Sequence, residues 1–214
     1  MADRNDANEV AALYAAEQAL RIVFWSSGTG LPSGEDARVR SVLKTQTKKS
    51  LDLERGIEVM TRAALALAIG GQDHEAVSLA EEIKVARPKD TLVNALWLPM
   101  IRASFFLRCG KLRDVIRELE IAERYERAAE FYPQYIRGLA YLQLNKPKEA
   151  TREFDKILDN RGEAPLSAIY ALAQLGKARA MKDKAEYEKF FELWKDADND
   201  MPAMTAAREE VEGL

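Results

Sequence analysis

The sequence holds one histidine and one cysteine, and neither sits in a pattern that chemistry requires. His74, in "GGQDHEA", falls in the first turn of an expected helix just after Asp73, which reads as its N-cap. A general base needs a positioned partner, and the stretch supplies none. Cys109 directly precedes Gly110 and reads as a partly buried small apolar residue at a turn, not an activated thiol. Alone, it forms no intrachain disulfide and no multi-cysteine metal site. "GTGLPSG" (28–34) has three glycines, but no Lys-Ser/Thr follows and no strand precedes, so it reads as a flexible loop and not a phosphate cradle. "DADND" (196–200) spaces its acids like the start of a calcium loop, yet Met201 stands where that loop needs glycine and Ala207 where it needs glutamate. It reads as a helix end. A kinase would need a glycine-rich loop on a strand, a strand lysine, and His-Arg-Asp and Asp-Phe-Gly motifs; none is present. The expectation is a protein that is not an enzyme, with no cofactor and no metal.

Charge gives no general electrostatic lead. Acidic residues number 35 against 32 basic, a net −3, so nothing in the balance points to nucleic acid or anionic lipid. Arg38, Arg40, Lys44, Lys48 and Lys49 form a basic stretch, but no aromatics are interleaved, and it reads as a solvated helix face. No apolar run approaches a membrane span, and "MADRNDANEV" is polar and acidic, unlike an export signal. These features predict a soluble chain, cytoplasmic by absence of a signal, or periplasmic if the chain is a fragment that follows a membrane span.

The elements are helices. Apolar residues recur at three and four, as in Ala150, Phe154, Ile157 and Leu158, and sustained period-two alternation is missing. Turn signals at Gly70-Gly71, Pro88, Gly110, Asn145 with Pro147, Gly162 with Pro165, and Asn199 to Pro202 cut the chain into helix-length segments, about eleven in all. The long exception is "SSGTGLPSGE", a loop at 26–35.

A repeat underlies the punctuation. Gly138, Tyr141, Asn145, Ala150 and Phe154 are separated by three, four, five and four residues. The same intervals fit Ala64, Leu67, Gly71, Ala76 and Ala80, and again Ala103, Phe106, Gly110, Val115 and Leu119. The turn positions Gly71, Gly110 and Asn145 lie 39 and 35 residues apart, close to the tetratricopeptide period. A glycine inside a helix costs about 1 kcal/mol relative to alanine. Here Gly138 and Ala150 would let two helices approach closely, with Tyr141 and Phe154 filling the space around them. The predicted fold is all-α: tetratricopeptide-like antiparallel hairpins stacked in a right-handed superhelix. Residues 1–52 form an N-terminal hairpin, 53–88, 90–126 and 130–162 three repeats, and 164–214 a degenerate shortened repeat with a C-terminal capping helix.

Four stretches, "DTLVNALWLPMIRA" (90–103), "YPQYIRGLAYLQL" (132–144), "EFDKILDNRG" (153–162) and "FFELWKDADNDMP" (190–202), resemble the C-terminal tetratricopeptide regions of eukaryotic-like bacterial serine/threonine kinases. The resemblance implies an interaction or sensing role beside a kinase domain. The sequence departs from the family at "LGKARAMKDKAEYEKFFELW" (175–194), which is shorter than the usual last hairpin and lacks its turn glycine.

In such a superhelix the first helix of each repeat lines a concave wall suited to a peptide or partner helix. The register places Asn94, Trp97, Met100, Arg108, Tyr132, Tyr135, Leu139 and Gln143 on that wall. The aromatics would take apolar side chains, while Asn94 and Arg108 would fix a backbone or carboxylate. The competing assignment makes Trp97 and the tyrosines inter-repeat core. Pro99, inside the same helix, should kink it by removing an amide donor and crowding the Ala95 carbonyl. The expected function is a non-catalytic protein-binding scaffold. The alternative is a self-association module, a homo-oligomer whose groove is filled by a neighbouring copy or by its own C-terminal helix.

Overall fold

A computed structural model describes residues 2–25, 37–163, 167, 169–197 and 201–214. The 26–35 loop and the end of the 196–200 acidic run lie outside the described residues. The described chain is all-α, with eleven α-helices and short 3-10 and π segments. They are α1 (Ala2–Trp25), α2 (Ala37–Leu53), α3 (Ile57–Ile69), α4 (Asp73–Ala86), α5 (Leu98–Arg108), α6 (Leu112–Leu119), α7 (Tyr132–Gln143), α8 (Pro147–Leu158), α9 (Ile169–Met181), α10 (Lys184–Leu193) and α11 (Pro202–Glu212). Successive pairs pack side by side from α1 with α2 to α9 with α10, and each pair meets the next. One apolar core runs from Ala19 to Ala207. No helix of the described residues is long and apolar enough to cross a membrane.

The turns inside the hairpins share one backbone solution. Gly71, Gly110, Asn145 and Lys182 all adopt positive φ, at 74°, 69°, 55° and 51°. After each, the next amide donates to the carbonyl five residues back: Gln72 to Leu67, Lys111 to Phe106, Lys146 to Tyr141 and Asp183 to Ala178. This closes the orphan carbonyls of the preceding helix in a left-handed cap. Glycine takes that conformation freely and asparagine tolerates it, whereas Lys182 pays for its Cβ. The fourth turn escapes a search for glycine because a lysine occupies it.

Three local expectations are corrected. Asp73 is the first residue of α4 and not its N-cap, which is Gln72, whose side chain makes no capping bond; the Asp73 carboxylate pairs with Arg108 instead. Cys109 is exposed, not partly buried. Pro99 does not sit inside a plain α-helix. Residues Val93–Trp97 widen into a π-helical stretch in which the Leu98 amide donates to the Val93 carbonyl. The extra residue of that turn absorbs the missing proline donor.

Gly138 is explained by a ring. Phe154 on α8 is fully buried, and a Cβ built on Gly138 would lie 2.5 Å from its Cε1. On the far side, a Cβ on Gly176 of α9 would lie 2.4 Å from its Cζ. Phe154 is therefore a wedge held between two helical glycines on neighbouring repeats. Its packing on both sides offsets their propensity cost.

Candidate interaction surface

The eight expected wall positions do not form an open groove. Met100, Tyr132, Tyr135, Leu139 and Trp97 are all buried, between 0% and 7% exposed. Their assignment as an accessible partner-binding patch is corrected: in this structure they are inter-repeat core. Asn94 is exposed, but its amide donates to the carbonyls of Asp90 at 2.7 Å and Pro88 at 3.2 Å, tying down the turn after α4. Arg108 donates to the Ala68 carbonyl at 3.0 Å and pairs with Asp73, stapling α5 to the α3–α4 turn. Gln143 alone among them is exposed without such a task in view.

Part of the cover over Tyr132 and Tyr135 comes from α1. Its apolar residues Ala12, Ala16, Ala19, Leu20, Val23 and Phe24 recur at three and four and are buried, and the three alanines let α1 sit close against α2 and α3. At its C-terminal end the Phe24 ring stacks on Tyr132 at 5.5 Å and meets the edge of Tyr135 at 5.4 Å. The Tyr132 hydroxyl donates to Glu17 at 3.3 Å. Burial, with help from Glu130, pushes the Glu17 carboxyl up against the opposing pull of Arg21 and Arg62. Burial also raises both tyrosine hydroxyls. Trp97 is covered separately by the Arg62 guanidinium, 5.4 Å from the ring centroid. Tyr132 and Tyr135 are thus covered in part by Phe24 and Glu17 of the N-terminal helix. Helix α11 packs on α10 and anchors through Glu210, which accepts from Arg179 at 2.8 Å and from the Tyr187 hydroxyl at 2.8 Å.

An open apolar surface lies elsewhere, between α4 and α5. A cleft of about 350 Å³ is lined there by Val77, Ala80, Lys84, Ile101, Phe105 and Phe106. Val77 is 60% and Phe105 38% exposed, so large apolar groups face solvent on both walls. Glu81 and Arg102 add charge to the lining, and Arg102 is held by Glu118 through a 2.6 Å bond. The register explains why the seam is open. Ala80 occupies the position that Phe154 fills two repeats later, so the wedge that seals α8 against α9 is absent between α4 and α5.

Ala80 fits the repeat intervals at the position where Phe154 supplies a ring. Read as a missing wedge, the same residue is the sequence signal for the cleft. The other chemical candidates remain unassembled. His74 is exposed, beside a Lys44–Glu75 ion pair of 2.8 Å, and the described residues hold no group of three His, Cys, Asp or Glu placed to bind a metal. No protein-family model, no curated protein and no solved structure matches this chain.

Proposed function

We propose that this chain is a non-catalytic scaffold of tetratricopeptide-like superhelical architecture that binds a peptide or partner helix, as the interaction region associated with a bacterial serine/threonine kinase. The observation that carries the reading is the α4–α5 cleft, where Val77 and Phe105 stand exposed on facing helices around an apolar lining. Exposed aromatic and aliphatic groups flanking an apolar cleft, with charge at its margin, suit the anchor residues of an amphipathic helix. The kinase association rests on the four stretches that resemble that family. With Trp97, Met100, Tyr132, Tyr135 and Leu139 buried, the partner site of this reading is the α4–α5 seam.

A photo-crosslinking residue placed at Val77 in the full chain tests this in cells, with the same residue at exposed Glu188 on α10 as control. The expected result is a protein labelled from the cleft position and not from the control, and lost when Phe105→Ser is added. Identical labelling from both positions would remove the cleft from the proposal. Saturable ATP binding by calorimetry would overturn the scaffold assignment itself.

A further inference from the structure

Two groups join α8 to α9 across their sealed seam. One is the Phe154 ring, seated against Gly138 and Gly176. The other is an ion pair of 2.8 Å between Lys177, the residue after Gly176, and Asp155, the residue after the wedge. At α4–α5 the register sets Ala80 in the place of the ring, Glu81 in that of Asp155, Ala103 in that of Gly176 and Ser104 in that of Lys177. Ser104 is fully buried, and its hydroxyl donates to the Met100 carbonyl of its own helix at 2.8 Å. Glu81 is thus left exposed on the cleft without the cross-seam cation that Asp155 has. Arg102, the cation of α5 in the same lining, is engaged by Glu118. Lys84 lies on Glu81's own helix and makes no ion pair with it. The open seam lacks both ring and cation.

The space left over points outward. Ala64 and Ala103, at the places of Gly138 and Gly176, are fully buried, and α3 packs directly on α5, so the room opens between α4 and α5 toward solvent. Its volume of about 350 Å³ lies near the lower limit of ligand sites: an anchoring side chain enters while the rest of its carrier stays outside. On the α5 wall the Phe105 and Phe106 rings stand 6.1 Å apart and tilted by 57°, which gives an entering ring edge and face partners that an aliphatic group cannot use. Both walls are helices whose backbone groups are bonded internally, so no strand can pair with them. A carrier whose own backbone is already satisfied against these apolar walls is a helix.

Granted the partner site proposed at this cleft, we infer that its occupant is an amphipathic helix of another protein that inserts one aromatic side chain over Ala80 and carries, within a turn of it, a Lys or Arg that pairs with Glu81. The partner supplies in trans the ring and the cation that Phe154 and Lys177 supply within the chain at α8–α9. The exposed rings of a second copy do not match this pattern. Tyr14 has no Lys or Arg between Val10 and Gln18, and the cations beside Phe105, Arg102 and Arg108, are taken by Glu118 and Asp73.

The test is a display library of amphipathic helical peptides, randomised on one face and selected against the full chain, with counter-selection against Phe105→Ser. Enriched peptides are expected to share a Phe, Tyr or Trp with a Lys or Arg within a turn of it. Replacing that ring by alanine should weaken binding about tenfold or more in calorimetry, as truncation of a buried anchor does. Exchanging the peptide's cation for Glu should cost about two- to fivefold at low salt, and Glu81→Lys in the chain should reverse the order of the two peptides. Phe105-dependent binding that survives loss of the ring, or an order that Glu81→Lys leaves unchanged, overturns this inference while the cleft stands as the partner site. So does concentration-dependent dimerisation of the chain that Phe105→Ser abolishes, which would make a second copy the occupant. A selection that enriches no Phe105-dependent helix overturns it together with the partner-helix reading.

Discussion

The seam between α8 and α9 and the seam between α4 and α5 are built on the same repeat register and end in opposite states. In the first, Phe154 is fully buried between Gly138 and Gly176, with no room for a Cβ on either glycine. In the second, Ala80 stands at the wedge position, and the helices part around a cleft of about 350 Å³. The middle seam is intermediate: Leu119 is the wedge, fully buried, with Ala103 and Gly138 at the facing positions. Wedge size rises from Ala to Leu to Phe along the chain as the facing residues shrink from Ala with Ala to Gly with Gly. Complementary volumes at two positions per repeat thus decide whether a seam is core or surface.

The largest test of the sealed side is to remove its rings. Phe154→Ala should cost about 3–5 kcal/mol, the range for large aromatic truncation in a core, because two glycines border the void and cannot fill it. Tyr135→Ala should fall in the same range, since that ring is buried against Phe24 and 6.1 Å from Phe154. Chemical denaturation of either variant settles the matter. A Tyr135→Ala midpoint equal to the parent's would return that residue to an open surface and break the distinction between the seams.

Adding atoms to the same seam should cost less. Gly176→Ala gains about 1 kcal/mol of helix propensity, yet its Cβ would press on a ring that Gly138 already confines from the other side. Overpacking of about 1–3 kcal/mol should prevail, and the melting temperature should fall. Ala150→Leu, at a fully buried position of α8, should lose a comparable amount. If Gly176→Ala melts above the parent, propensity outweighs packing and the wedge is looser than its geometry indicates.

The repeat was legible because it is written in residues whose roles are local. Gly71, Gly110 and Asn145 occupy left-handed turns that few other residues tolerate, so spacing alone located them. Lys182 was hidden because it adopts the same φ against its own preference. The candidate site was read less well, for a physical reason. Register says which face of a helix a residue occupies, but not what else packs there. Tyr132 and Tyr135 do lie on first-helix positions, and it is Phe24, more than a hundred residues away in sequence, that converts them from wall to core. Nothing in the local pattern of α7 encodes that contact.

The α1–α7 contact also contains a polar group held at a cost, which gives the sealed side a pH signature. Burial raises the Glu17 carboxyl above its usual range. The fold therefore favours the protonated form, and this contribution is fully present below the ordinary carboxyl pKa and lost as pH rises through the raised value. Glu17→Gln keeps the shape, retains an acceptor for the Tyr132 hydroxyl and removes the charge. Relative to the parent it should gain stability between acidic and neutral pH, by less than the packing changes above. Parallel denaturation curves at pH 4 and pH 7, with no relative gain, would show that Arg21 and Arg62 fully compensate the ionised carboxylate.

The smallest expected effect on stability is the most informative about function, because it makes in the open seam the kind of change that damages the sealed one. Ala80→Leu adds an aliphatic side chain at the wedge position of α4, where Ala80 is half-buried and borders the cleft. Space is available, so no overpacking term arises. The new methyl groups exchange partial exposure for contact with Ile101 and Phe105 across the gap. A change of this kind stays within about 0.5 kcal/mol, like other substitutions away from packed positions, whereas Ala150→Leu should lose several times that. The cleft, however, would now hold a wedge like that of Leu119, and the crosslink from Val77 to its partner should disappear while circular dichroism and melting remain those of the parent. If Ala80→Leu melts as far below the parent as Ala150→Leu does, the α4–α5 seam is as tightly packed as the others. The contrast between an open and a sealed repeat, and the partner site built on it, would then fall together.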